Sequence, residues 1–73
     1  MSNVRTSLVL KKELIKEIEK YILENGISPT VKELTELLGV KSTSTTKKYL
    51  DQLEEAGRIK KIANKARTIK IIY

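Results

Sequence analysis

Three glycines divide this chain, and each closes a stretch whose apolar residues follow a helical spacing: Gly26, Gly39 and Gly57. Upstream of the third glycine, apolar side chains recur every three or four residues, as on a helix with one buried face. Downstream they alternate, as on a strand. A chain of 73 residues cut at these points has room for three short helices, one strand pair and a single core.

The first stretch runs from about Leu8 to Asn25, where Leu14, Ile18, Tyr21 and Ile22 share one helical face. Ser7 is available as its cap, and residues 1–7 are expected to be a flexible N-terminus ahead of a domain covering 8–73. Asn25-Gly26 ends the helix, because glycine adopts the left-handed conformation at no steric cost. Pro29 keeps Ser28 extended. Thr30-Val31-Lys32-Glu33 then reads as a capping box, and Val31, Leu34, Leu37 and Leu38 line the face of a short second helix that stops at Gly39. Val40-Lys41 allows only a tight turn. Ser42 or Thr43 can cap a third helix that runs to about Ala56, with Thr46, Tyr49, Leu50, Leu53 and Ala56 turned inward.

Beyond Gly57, Ile59 and Ile62 precede a turn-like Asn64-Lys65-Ala66, and Ile69 and Ile71 alternate with Thr68 and Lys70 after it. This predicts a hairpin with a basic tip. Its first strand is irregular, since strict alternation would put Ile59 and Ile62 on opposite faces. A bulge or a late strand start would reconcile them. The expected core comprises Leu14, Ile18, Tyr21, Ile22, Val31, Leu34, Leu38, Tyr49, Leu50, Leu53, Ile59, Ile62, Ile69 and Ile71. Helix, helix, tight turn, helix, hairpin is the order of a winged helix-turn-helix, a mostly α fold with a C-terminal β-hairpin wing.

Composition excludes much chemistry. There is no Cys and no His, which removes disulfides, thiolate metal sites and the usual general base and zinc ligand. No paired carboxylates or glycine-rich phosphate loop appear on a plausible cleft, and Ser42 and Ser44 have only lysines near them in sequence. The expectation is a protein that is not an enzyme and needs no cofactor or metal. No apolar run reaches the ~20 residues of a membrane span and no signal peptide is evident, so the expected location is cytoplasmic and nucleoid-associated, with no membrane partner and no small-molecule ligand.

Charge indicates the kind of partner. Lys plus Arg number 15 and Asp plus Glu 9, a net +6. Residues 1–40 hold six of each sign, so the entire surplus lies in residues 41–73, which carry nine basic side chains against Asp51, Glu54 and Glu55. A field of one sign attracts a polyanion, although a soluble basic surface would give the same total.

The start of the third helix is more specific. Ser42, Ser44 and two of the threonines, Thr43 and Thr45, join Thr46 in an unbroken hydroxyl run followed by Lys47 and Lys48. Such a run is poor for helix propensity but suits a helix start that meets a polar surface. Its short side chains let the backbone approach phosphates and can reach base edges. At 100° per residue, Ser44, Thr45, Lys47 and Lys48 lie on or beside the outer arc. A capped, solvated helix start is the plainer reading of the same residues. Tyr21 and Tyr49 fall on apolar stripes and are expected to pack, leaving only Tyr73 as a candidate for stacking on bases.

Three segments carry a family resemblance: Gly26-Ile27-Ser28-Pro29-Thr30-Val31-Lys32-Glu33-Leu34, Leu38-Gly39-Val40-Lys41-Ser42, and Tyr49 through Ile59. Together they resemble the DNA-binding domain of the LexA repressor family, over roughly residues 8–72. In that family a G-x-P-P-T segment precedes the second helix, G-x-x-S opens the third, and L-x-x-L-x-x-x-G-x-I leads into the wing. The resemblance implies that Ser42, Ser44, Thr45, Lys47 and Lys48 match operator-reading positions and that Lys65 and Arg67 match the wing. Three differences limit the transfer. Ser28 replaces the first proline of the pair. Lys47 and Lys48 stand where family members vary in charge, so the family's operator is not assumed. The family's serine–lysine peptidase domain, which also supplies its dimer contact, is not within these 73 residues, so induction by self-cleavage is not carried over.

The resulting expectation is sequence-specific double-stranded DNA binding by a small repressor-like regulator. Its third helix lies in the major groove, with Ser44, Thr45, Lys47 and Lys48 at or beside base edges. Lys41, Ser42, Lys65 and Arg67 hold phosphates, and two copies on a palindrome form a homodimer on DNA. The alternative is a winged-helix module that binds protein within a larger complex.

Overall fold

The computed structural model describes residues 6–73. Helix α1 spans Ser7–Asn25, α2 Val31–Leu38 and α3 Thr43–Glu55, followed by strands β1 (Ile59–Lys60) and β2 (Lys70–Ile71). The strands pair antiparallel, with Ile59 opposite Ile71 and Lys60 opposite Lys70. This is the winged helix-turn-helix expected from the order of periods. Of the N-terminal segment expected to be flexible, residues 1–5 lie outside the described residues. Thr6 caps α1, its hydroxyl accepting from the Val9 amide at 3.2 Å, and Ser7 is already helical rather than the cap.

Local chemistry accounts for the element ends. The Gly26 amide donates to the Ile22 carbonyl at 2.8 Å with φ at 72°, a region that a residue with a Cβ enters only at a cost. The capping box at α2 is complete: the Glu33 amide donates to the Thr30 hydroxyl at 3.1 Å, and the Thr30 amide donates to the Glu33 carboxylate at 2.9 Å. Ser42, not Thr43, caps α3, its hydroxyl accepting from the Ser44 amide at 3.1 Å. At the other end of α3, the amides of Gly57 and Arg58 donate back to the carbonyls of Glu54 and Leu53. This paired closure turns the chain directly into β1.

All three helices contact one another, with β1 on α3 and β2 on α1. The buried core is Leu14, Ile18, Leu34, Leu38, Leu50, Leu53, Ile59 and Ile69, with Ile15, Ile22, Val31, Val40, Tyr49 and Ile71 half-buried around it. Four inward placements differ from expectation, the first being Tyr21, which is half-buried and lies outside the core cluster. Leu37 is 50% exposed and Thr35 is buried in its stead. Around the helix axis Val31, Leu34, Thr35 and Leu38 cluster, while Leu37 falls about 100° away from them. Ala56 is exposed because α3 stops at Glu55. Ile62, expected in the core, is 59% exposed: β1 ends at Lys60, and the chain has left the ladder before Ile62.

Burying Thr35 requires a partner for its hydroxyl. It shares a 2.7 Å hydrogen bond with Thr46, itself fully buried on α3, and lies 2.8 Å from the Val31 carbonyl. This polar contact joins α2 to α3 in the middle of the helix-turn-helix, where unpaired hydroxyls would be costly. Among the described residues, no helix is long and apolar enough to cross a membrane.

Candidate nucleic-acid interface

The hydroxyl run divides according to burial. Ser42 and Ser44 are exposed, Thr45 is half-buried, and Thr46 turns into the core. Lys47 and Lys48, in the first turns of α3, are exposed, as is Lys41 in the turn before it. The first amides of α3 and these side chains therefore share one end of the helix, where the helix dipole also favours negative charge.

Two acids in the other half of α3, Asp51 and Glu54, are engaged by the start of the wing. The Lys61 ammonium is 2.9 Å from Asp51 and 3.5 Å from Glu54, and the Lys61 amide donates to Glu54 at 3.3 Å. The hydrogen bond to Asp51, ahead of the nearby charges, raises the Lys61 pKa above that of an ordinary lysine. Lys61 thus engages both carboxylates, while Lys47 and Lys48 form no ion pair among the described residues.

The wing is anchored by a cluster that sequence reasoning did not assemble. Arg67 grips Glu33 with both terminal nitrogens, each at 3.1 Å, in the fork geometry that suits a carboxylate. The same guanidinium donates to the Ser28 carbonyl at 3.1 Å and the Tyr21 hydroxyl at 3.3 Å. The Tyr21 hydroxyl donates in turn to Glu33 at 3.0 Å. Glu33 therefore serves the α2 cap and the wing at once. The Thr30 amide, then Arg67 and Tyr21, hold its pKa near 2, well below the ordinary carboxylate value. The Arg67 pKa is raised by the Tyr21 and Glu33 hydrogen bonds. Beside this fork, the Ile69 amide donates to the buried Ser28 hydroxyl at 3.0 Å.

Arg67, expected at a phosphate, thus has its guanidinium committed to α1, α2 and the loop between them. Its backbone is left-handed at φ 58°, as is that of Asn64 at φ 61°, and these two bends bracket the wing tip. Inside the tip, the Thr68 hydroxyl accepts from the Ile62 amide at 3.0 Å and lies 3.0 Å from the Lys65 carbonyl. Lys65 projects from this closed loop and is exposed. Tyr73, the one tyrosine left for base stacking, is 95% exposed with its hydroxyl donating to Glu19 at 2.9 Å. Two lysines missed from the sequence, Lys60 and Lys70, oppose each other across the ladder, an arrangement that is unfavourable without an anion nearby.

Only part of this cluster left a sequence signal. Glu33 was legible through the capping box and Arg67 through its charge, but they are separated by 34 residues and no local pattern links them. Lys41, Ser42, Ser44, Thr45, Lys47 and Lys48 come together at one end of α3. Lys65 and Lys47 line a common groove between the wing and the helices.

Comparison with known proteins is consistent with this architecture. The family model of the LexA DNA binding domain matches residues 10–68. The LexA repressor of Clostridium kluyveri is 46% identical over 55 residues, covering 75% of this chain and 27% of the repressor. That of Caldicellulosiruptor saccharolyticus is 40% identical over 62 residues, covering 85% of this chain and 31% of the repressor. The LexA repressor of Erythrobacter litoralis is 40% identical over 60 residues, covering 82% and 26% respectively. The chain spans less than a third of the length of these relatives. With a family model that covers most of its residues, the chain belongs to the LexA DNA-binding domain family.

Proposed function

We propose that the chain is a sequence-specific reader of double-stranded DNA that acts as a repressor-like regulator. The start of α3 enters the major groove, Ser44, Thr45, Lys47 and Lys48 meet or flank base edges, and Lys41, Ser42 and Lys65 hold phosphates. Arg67 acts as the anchor of the wing rather than as a phosphate ligand. Two copies occupy a palindromic site, each with its own α3 in one half-site.

The observation that carries this reading is the segregation of charge. Asp51 and Glu54 are engaged by Lys61 and Glu33 by Arg67, while the lysines at the α3 start and wing tip have no acidic partner among the described residues. A surface that engages these three acids internally and leaves the cations at the α3 start and wing tip open is suited to a polyanion.

The test is binding of the purified chain to random duplexes over a salt series, followed by selection from a random library. Steep salt dependence with an enriched motif is the expected result, and Lys48→Ala should alter the motif. Salt dependence without a motif would reduce the protein to a nonspecific binder. Absence of binding at low salt would overturn DNA recognition and bring forward the protein-interaction module.

A further inference from the structure

The wing does not lie flat against the helices. Between it and the helix-turn-helix is an open groove of about 360 Å³, walled by the start of α2, one side of α3 and residues 61–69. Its floor includes Val31, Leu50 and Ile69, while three lysines reach it from three elements: Lys32 from α2, Lys47 from α3 and Lys65 from the wing. All three are exposed, and none forms an ion pair among the described residues. The other two cations of the wall, Lys61 and Arg67, are matched by Asp51 with Glu54 and by Glu33.

Three uncompensated ammonium groups around one hollow repel each other unless something negative sits between them. Apolar walls of low polarisability strengthen the field inside a concave site. The groove is also fixed before any ligand arrives. Its wing wall is held by the Arg67 fork and by the Ile69–Ser28 hydrogen bond, so little ordering remains to oppose binding. A rigid, open-ended and positively charged groove that runs beside the α3 start suits a continuous anionic chain.

We propose that this groove is a binding site for the DNA phosphodiester backbone and that Lys32 is one of its phosphate ligands. The inference rests on the DNA reading above and adds to it a path for the strand, between wing and α2, and a ligand from the charge-balanced half of the sequence. Lys32 contacts no base edge in this arrangement, so it contributes affinity and not sequence preference.

The experiment compares wild type, Lys32→Ala, Lys32→Arg and Lys12→Ala on selected and random duplexes across a salt series. Lys12 is an exposed α1 lysine outside the groove and serves as the control. Lys32 is exposed in the first turn of a capped helix, so its alanine variant should fold, which circular dichroism checks. Expected for Lys32→Ala is several-fold weaker binding to every duplex alike, with the slope of log K against log salt reduced by about 0.9. Lys32→Arg should restore both, and Lys12→Ala should leave both unchanged. A wild type that binds DNA while Lys32→Ala retains its affinity and slope would overturn the groove assignment alone. A Lys32→Ala variant with an altered motif would overturn its role as a phosphate ligand. A wild type that binds no duplex would overturn the DNA reading, and the groove with it.

Discussion

Glu33 and Ser28 show how much a single side chain carries in a domain of this size. The Glu33 carboxyl binds its proton more weakly when folded, with a pKa near 2 against an ordinary 4.5. The stabilisation it provides is therefore complete above about pH 4.5 and is lost as the pH falls toward 2. Glu33→Gln, which can still bond the Thr30 amide, should remove much of this acid dependence and lower the midpoint of unfolding at pH 7. Urea titrations from pH 2 to pH 7 would measure both effects. The variant should also uncouple the wing: Lys65→Ala should weaken DNA binding less in the Glu33→Gln background than in the wild type, and a double-mutant cycle measures that difference. Ser28 gives a second case. At sequence level it was a minor departure from a proline pair, yet its buried hydroxyl receives the Ile69 amide. Ser28→Ala leaves that amide unpaired and should cost about 1–3 kcal/mol in chemical denaturation.

At the scale of elements, the helices were legible because their determinants are local. The capping box places Thr30 and Glu33 three residues apart, the left-handed exits need only a glycine, and the Ser42 cap reaches its amide two residues on. Ser42→Ala should accordingly cost about 1 kcal/mol, read as a lower urea midpoint with unchanged slope. Leu50→Ala, at the fully buried centre of α3, should cost about 2–5 kcal/mol and destabilise the domain at ambient temperature. What the sequence did not disclose depends on tertiary partners. Thr35 is buried because Thr46 meets it from another helix, and Leu37, turned away from the face that Thr35 shares, is left outside. The wing was recognisable from its alternation and basic tip, but the exposure of Ile62 follows from the early end of β1 at Lys60, and the anchoring role of Arg67 from contacts with α1 and α2. Of the candidate site, the α3 residues were readable from type and spacing. Lys32 was not, because only the folded groove separates it from the balanced charges around it in sequence.

The described residues of the molecule measure 38 × 25 × 23 Å. At 3.4 Å per base pair its longest dimension matches about 11 base pairs, roughly one turn of duplex. Half-site centres one turn apart are separated by ~34–36 Å, so one copy with one α3 cannot read both. Hydroxyl-radical footprinting of a single half-site should accordingly protect no more than about 11 base pairs, and a palindrome should titrate at two chains per duplex. The wing has a wider consequence for how such molecules vary. Its footing is in both arms: Lys61 holds α3 on the way out, and Arg67, Thr68 and Ile69 hold to the body and to the base of the loop on the return, while Ala63 to Ala66 make no side-chain bond to the helices among the described residues. The tip is therefore an exchangeable part on a fixed mount. Its length and charge can diverge, and with them the stretch of backbone it is proposed to touch, without disturbing α3, the proposed reading helix.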